Sequence, residues 1–326
     1  MKLPVLILLI FLVLVVAAFV LALAFGGPGE PPPMPSISSP FKNADFSGLP
    51  PVSRFDARDG TKLAYRAYAP QGAAQGSVVL IHGSSAQSNT MHVMAKAFAA
   101  AGFAAYALDV RGHGDSGTKG QIAYIGQLDD DLEDFVRAVK PERSATLAGF
   151  SSGGGFALRI AGGARQKLFD NYLLLSPFIN PDAPTQRRDS GGWVKVGIPR
   201  IVAIALLNSI GVRAFNGLPV VKFALAEEAR KFLTPQYSFA LLQNFGPERD
   251  YKANIRAMGQ PVRLVAGQED EVFYADRFAE LFKSAGKEIP VTLVPGIGHI
   301  GLTLEPAGVQ AAVAAVKSMD EARAGR

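Results

Sequence analysis

Five residues near the middle of the chain, Gly149-Phe150-Ser151-Ser152-Gly153, set a serine between two glycines at a spacing that suits nucleophilic catalysis. In a nucleophile elbow the serine occupies a tight strand-to-helix turn that pushes its hydroxyl out at the top of a sheet. Glycines two residues to either side let the backbone close around it. The flanks agree: Ala145–Ala148 reads as a short strand, and the residues from Gly154 onward read as a helix. In a chain with 34 glycines a lone match of this kind is weak, so the case depends on partners elsewhere.

A serine hydroxyl needs a base within hydrogen-bond reach, itself oriented by a third group. The chain holds four histidines, His82, His92, His113 and His299. His299 ends the run Pro295-Gly296-Ile297-Gly298-His299 just after the last predicted strand, where a loop could present the ring at the strand end. It is the base candidate. The acid should follow the preceding strand, where Glu269, Asp270 and Glu271 stand together. Asp270 is preferred. Glu269 and Glu271 are the alternatives, otherwise solvated surface charges, and Asp182 is an outlying one. The acid would accept the other imidazole N–H, fix the tautomer and stabilise the imidazolium. An oxyanion hole needs two donors. The Ser152 N–H, at a helix start where N–H groups are unpaired, is one, and the Ser84 N–H in His82-Gly83-Ser84-Ser85 is the other. Losing one such donor typically costs about 2.7–4 kcal/mol in the barrier. His82 is read as a structural residue that holds this loop, not as a base.

The elements that must position these groups alternate. A hairpin is predicted around Asp59-Gly60, between Phe55–Ala57 and Lys62–Tyr68. Short apolar strands follow at Ser77–Ile81, Phe103–Asp109, Ala145–Ala148, Asn171–Ser176, Val262–Ala266 and Val291–Val294. Helices fall at Met91–Ala101, Ile125–Val139, Ala275–Ser284 and Ala307–Arg323. This order predicts an α/β fold: a mostly parallel sheet covered by helices on both faces. Ligands then bind beyond the carboxyl ends of the strands, where Ser84, Ser151, Asp270 and His299 cluster. Between about 177 and 260 the alternation lapses, and a helical cap insertion is expected. It holds two apolar runs, Val194–Ile210 and Phe215–Leu225. Such a cap would pack on the domain, line an apolar channel or touch a bilayer. Its basic residues, Arg187, Arg188, Lys195, Arg200, Arg213 and Lys222, are expected to be solvated.

The first 28 residues are a candidate transmembrane anchor or signal segment. Leu3–Phe25 carries no charged residue. As a helix it would be about 34 Å long, enough to cross a hydrocarbon core of about 30 Å. Lys2 and the amino terminus predict the N-terminus inside and the body outside. Ala22-Leu23-Ala24 would serve as a cleavage site, with a secreted product, but the apolar run exceeds the 7–15 residues of a signal core, so an anchor is preferred. Residues 29–53 are rich in Pro and Gly and read as a linker, leaving 54–326 as the folded domain with its cap. The net charge of +5 is spread along the chain, which argues against nucleic-acid binding. The absence of cysteine excludes thiolate catalysis, disulfides and cysteine-ligated metals. The oligomeric state is not legible.

Taken in order, Ile81-His82-Gly83-Ser84, Asp109-Val110-Arg111-Gly112-His113-Gly114-Asp115-Ser116, Gly149-Phe150-Ser151-Ser152-Gly153, Gly267-Gln268-Glu269-Asp270 and Gly298-His299 resemble the motifs of the α/β-hydrolase superfamily. The likeness is to its monoacylglycerol lipase-like, lysophospholipase and serine aminopeptidase group, over about residues 55–320. The order serine, acid, histidine is the one that superfamily uses. The resemblance implies a serine hydrolase with the triad Ser151, Asp270 and His299, needing no metal or organic cofactor. It implies that the Asp109–Ser116 turn shapes a loop and that His113 is structural. Together with the apolar cap and the anchor, it implies a lipid-like ester substrate such as a monoacylglycerol or lysophospholipid. A small-ester carboxylesterase, a thioesterase, a peptidase, an acyltransferase or a non-catalytic binding module of the same fold are the alternatives. The cap matches no motif for one substrate class.

Overall fold

Every residue of Ser77–Ile81 is buried, as a strand covered on both faces requires. Val79 and Ile81 enter one apolar cluster, Val78 and Leu80 the other, following the two-residue period of a strand. The structure is a computed structural model and describes residues 3–32, 41, 44–187 and 192–325. An apolar helix comes first, α1 (Leu3–Phe25). The body then runs β1 (Ser53–Asp56), β2 (Lys62–Tyr68), β3 (Ser77–Ile81), α2 (His92–Ala100), β4 (Ala104–Leu108), α3 (Gln127–Val139), β5 (Ala145–Phe150), α4 (Ser152–Ala161) and β6 (Asn171–Leu175). An insertion carries β7 (Val194–Val196), α5 (Ile198–Ser209), β8 (Pro219–Phe223), β9 (Gln236–Ser238) and α6 (Phe239–Asn244). The body resumes with α7 (Tyr251–Ala257), β10 (Val262–Gly267), α8 (Phe278–Ser284), β11 (Val291–Val294), α9 (Gly301–Leu304) and α10 (Pro306–Ala324).

The main sheet has the order β1-β2-β4-β3-β5-β6-β10-β11. The β1–β2 and β2–β4 pairs are antiparallel and the others parallel. Phe98 of α2 and Val316 of α10 pack on one face, and Phe135 of α3, Phe156 of α4, Ile255 of α7 and Phe278 of α8 on the other. Each fully buried side chain of this size contributes about 1.5–3 kcal/mol of transfer free energy. Strand β3 pairs with both β4 and β5, with Ile81 level with Leu108 and with Gly149. The chain leaves β3 towards α2 on one face and leaves β5 towards α4 on the other. The crevice between them is the switch point at which ligands bind in open α/β sheets.

The insertion is not purely helical. Besides α5 and α6 it forms a three-stranded antiparallel sheet, in the order β7-β8-β9. The run Val194–Ile210 divides at Gly197, with the valines on a strand and Pro199 in the first turn of α5, where a missing N–H is harmless. In Phe215–Leu225 the adjacent Val220 and Val221 favour strand β8 over a helix. Of the basic residues expected in water, Arg200 bonds to three backbone carbonyls, Lys222 pairs with Glu30, and Arg187 lies 4.2 Å over the Tyr274 ring. Arg188 and Lys2 lie outside the described residues. The segment read as a linker touches the body: Phe46 stacks on His92, whose Nε2 also meets the Ser47 carbonyl at 3.2 Å.

Candidate active site

Ser151 stands between β5 and α4 at φ +54° and ψ −118°. A non-glycine residue at positive φ costs of the order of 1–3 kcal/mol, so its surroundings must hold it. They do. Its N–H donates to the Leu175 carbonyl at 2.9 Å, and its own carbonyl accepts from Gly155 and Phe178 at 3.0 and 2.9 Å. The two glycines of the pentapeptide are required by space. A Cβ on Gly149 would lie 2.0 Å from the Gly153 carbonyl oxygen, and one on Gly153 would lie 2.4 Å from that of His82. The turn thus seats Ser151 against the loop that follows β3, with Gly83 so close that its own Cβ would meet that of Ser151 at 3.3 Å.

The loops after β10 and β11 bring a carboxylate and an imidazole together. His299 Nδ1 lies 2.8 Å from Asp270 Oδ2, with both side chains buried. Asp270 Oδ1 accepts the N–H groups of Val272 and Phe273, each at 2.8 Å. Burial opposes the charge on Asp270. It is outweighed by the histidine beside it and by the two backbone donors, so the carboxyl is held below its ordinary range. The imidazole lies between aromatic rings, Phe150 at 4.7 Å and Phe273 at 5.2 Å between centroids. A carboxylate on Nδ1 fixes the tautomer that leaves Nε2 free to take a proton. Ser151 and His299 line the same cavity, of about 390 Å³.

Glu269 and Asp182 are exposed and do not line the cavity. Glu271 is a different matter. Though exposed, it lines the cavity, and its Oε2 accepts the His299 N–H at 2.8 Å. Ser84 and Ser152 join through their hydroxyls, which ties the loop after β3 to the start of α4. Neither residue's N–H has a protein acceptor among the described residues.

The other histidines are packed into supports. His82 Nδ1–H donates to the Gly83 carbonyl at 2.8 Å while Nε2 accepts the Val110 N–H at 3.2 Å. His113 Nε2 accepts the Tyr237 hydroxyl at 2.6 Å, and that hydroxyl accepts the Ser85 N–H at 2.6 Å. Burial, the largest influence on each ring, holds both below the ordinary histidine range. His92 bonds to Tyr68 Oη at 3.0 Å. In the Asp109–Ser116 turn, Asp109 accepts from the N–H groups of Ser88 and Asp115, and Ser116 Oγ accepts from Ala64. Sequence reasoning missed Tyr237, Thr234 and Glu271 as supports of the site, and Phe41 and Phe46 as part of its wall. None sits in a local pattern. Tyr237 and Ser85 are 152 residues apart.

The sequence profile described as "Serine aminopeptidase, S33" matches residues 72–306. A monoacylglycerol lipase of Mycolicibacterium smegmatis is 37% identical over 128 residues, which cover 37% of this chain and 44% of that protein. The match thus spans less than half the length of that relative. Among solved structures, a soluble variant of monoglyceride lipase from Saccharomyces cerevisiae, in complex with a substrate analog, superposes with a TM-score of 0.63 at 19% identity. It covers 84% of this chain and 96% of that one. A membrane phospholipase A, described as a novel bacterial virulence factor, gives 0.57 at 17% identity and covers 98% of this chain and 99% of its own. At these identities the two structures establish the fold.

Proposed function

The chain belongs to the serine aminopeptidase S33 family, within the monoacylglycerol lipase-like α/β-hydrolases, and on that premise we propose that it cleaves lipid-like carboxylic esters through an acyl-enzyme on Ser151. The observation that carries this reading is the buried His299–Asp270 pair opening onto the cavity that Ser151 lines. Ser151 Oγ attacks the ester carbonyl and His299 Nε2 takes its proton. The Ser84 and Ser152 N–H groups stabilise the tetrahedral oxyanion. His299 returns the proton to the departing alcohol, then activates a water that releases the acid and frees Ser151. All of these groups belong to the chain itself.

The lipid-like substrate is supported by the cavity wall, where Met91, Phe150, Leu225, Phe232, Leu233 and Ile300 offer apolar surface. The volume is that of small-molecule pockets, about 300–1,000 Å³. Helix α1 has a mean hydropathy of 3.5 and none of it is buried, which supports a membrane anchor over residues 1–28, a tether over 29–53 and a catalytic body over 54–326. The body then lies on the outer side of the membrane, the N-terminus inside. The membrane phospholipase A fold neighbour, which extends over nearly all of this chain, adds support.

A fluorophosphonate probe tests the nucleophile. Wild type is expected to label and Ser151→Ala to stay blank; labelling that survives the substitution sinks the assignment. Rates across p-nitrophenyl esters of rising chain length, beside a monoacylglycerol and a peptide amide, test the substrate class. The monoacylglycerol and the medium-chain esters are expected to lead, and a faster peptide amide overturns the ester reading.

A further inference from the structure

Asp270 sits in a loop whose two halves are held from different sides. Before it, the Gln268 and Glu269 N–H groups donate to the Val294 and Ile297 carbonyls at 2.9 and 3.0 Å, on the strand and loop that lead to His299. After it, Val272, Phe273 and Tyr274 lie against residues 184–187, in the stretch that runs from β6 into the cap. Gln186 and Phe273 form an isolated antiparallel bridge. The Tyr274 N–H donates to the Thr185 carbonyl at 2.8 Å, and the Arg187 N–H reaches that of Val272 at 3.4 Å.

Three side chains lock this pairing from both sides. Arg187, on the cap side, sends Nε to the Phe273 carbonyl at 3.2 Å. Arg277, on the acid side, sends Nη1 to the Pro184 carbonyl at 3.1 Å. Both guanidiniums lie over the Tyr274 ring, at 4.2 and 4.0 Å from its centroid. A planar guanidinium can stack on an aromatic face while its N–H groups donate elsewhere. Two short strands alone are marginal in water, and this pairing is a single bridge, so the loop depends on the clamp for its place.

What the clamp holds is the support of the acid. The Val272 and Phe273 N–H groups are the two backbone donors to Asp270 Oδ1, each at 2.8 Å. The peptide between Val272 and Phe273 accepts from Arg187 at its carbonyl and donates to Asp270 at its N–H. The buried Phe273 ring also packs 5.2 Å from that of His299. We propose that Arg187, Tyr274 and Arg277 are positioning residues for Asp270. They fasten the loop to the entry of the cap and so keep its two N–H groups on the carboxylate that orients His299. None of the three touches a reacting atom. The inference rests on the reading of Asp270 as the acid partner of His299.

Kinetics of the full-length protein in detergent, on soluble p-nitrophenyl butyrate, test this. Turnover is counted per Ser151 site that a fluorophosphonate titrates, so unfolded molecules do not enter. Misplacing a catalytic group by about 1 Å costs up to about 10²-fold, so Tyr274→Leu and the double variant Arg187→Met/Arg277→Met are each expected to lower kcat about tenfold with KM within about twofold. Tyr274→Phe keeps the face that the guanidiniums cover and is expected to hold kcat within about twofold of wild type. Adding Tyr274→Leu to Asp270→Asn separates positioning from a general loss of structure. If the clamp acts through the carboxylate, the second change costs less than about twofold more. A further tenfold loss in that background, or wild-type kcat in Tyr274→Leu, overturns the inference and leaves the acid standing. A Tyr274→Phe variant as slow as Tyr274→Leu assigns the effect to the hydroxyl and overturns the clamp. An Asp270→Asn variant with wild-type kcat removes the acid, and the inference with it.

Discussion

At the scale of single residues, the site turns on which carboxylate serves His299. Asp270 bonds its ring and Glu271 bonds its backbone, while Glu269 faces solvent. The three should separate cleanly. Asp270→Asn leaves the shape but favours the wrong tautomer, and kcat on a soluble ester is expected to fall about 10³–10⁴-fold. Glu271→Gln keeps an oxygen for the His299 N–H and should lose less than about tenfold. Glu271→Ala removes the acceptor of a charge-assisted bond and should lose about tenfold or more. Glu269→Gln should stay within about twofold. Steady-state kcat for the four variants checks this, and equal losses for Asp270→Asn and Glu269→Gln would mean the acid is misplaced. That Ser151, Asp270 and His299 would meet at one end of the sheet was legible because each stands in a short pattern at a strand end, which the alternation of elements exposes. The role of Glu271 was not, because its partner lies 28 residues away and no spacing rule links a carboxylate to a backbone N–H across two loops.

At the scale of elements, the cap and the body share the loop that carries Ser84. Ser85 is held at φ +64° by cap residues: its N–H donates to Tyr237 Oη, its hydroxyl to the Thr234 carbonyl, and its own carbonyl accepts the Thr234 N–H. Tyr237 Oη in turn donates to His113, whose ring packs 4.8 Å from that of His82. Cap, oxyanion loop and the Asp109–Ser116 turn are thus joined by one buried hydrogen-bonded network. This has a pH signature. Burial, as the leading cause, holds His82, His92 and His113 below their ordinary value, with Asp109 partly opposing it at His82. Below about 6.5 the unfolded chain therefore takes up protons that the folded chain refuses. The stability these rings contribute is full above that pH and is lost as pH falls towards their folded values. Between pH 6.5 and 5.5 the unfolding free energy is therefore expected to fall, with His113, held well below its ordinary value, contributing to the loss. Urea titrations in detergent at the two pH values check it, with His113→Gln expected to reduce the difference. A flat profile would show that these rings titrate normally in the folded protein. The strands of the body were readable because burial on both faces writes itself as continuous apolar runs. The strands that the cap carries beside its helices were not legible, because an apolar run of that length suits a strand or a helix, and only Gly197 marks the break.

At the scale of the whole molecule, the segment between α1 and β1 is part of the cavity wall. Residues 29–53 carry the composition of a free linker, yet Phe41 and Phe46 line the catalytic cavity. Phe46 also stacks on His92 at 6.1 Å, while Ser47 and Pro50 supply carbonyls to His92 and Arg66. Composition could not reveal this, because a contact made by one isolated aromatic residue has no period and Pro-rich chain lacks the regular structure that a pattern would betray. The arrangement has a physical consequence. The segment that connects the body to α1 also lines the cavity, so α1 and that wall are continuous in the chain. Removing one aromatic ring from an apolar wall forfeits at most about 1.5–3 kcal/mol of contact with a bound chain, and less where the ring is half exposed, as Phe46 is. Phe46→Ala is therefore expected to raise KM about tenfold for a dodecanoyl ester. It should leave kcat within about twofold, because no reacting atom meets Phe46. A butyryl ester, whose short chain need not reach this wall, should keep its KM. Michaelis parameters for the two esters, measured in the same detergent, decide the matter. An equal rise in KM for both would place Phe46 against the reacting carbonyl instead, and no change for either would mean that substrate never touches the tether.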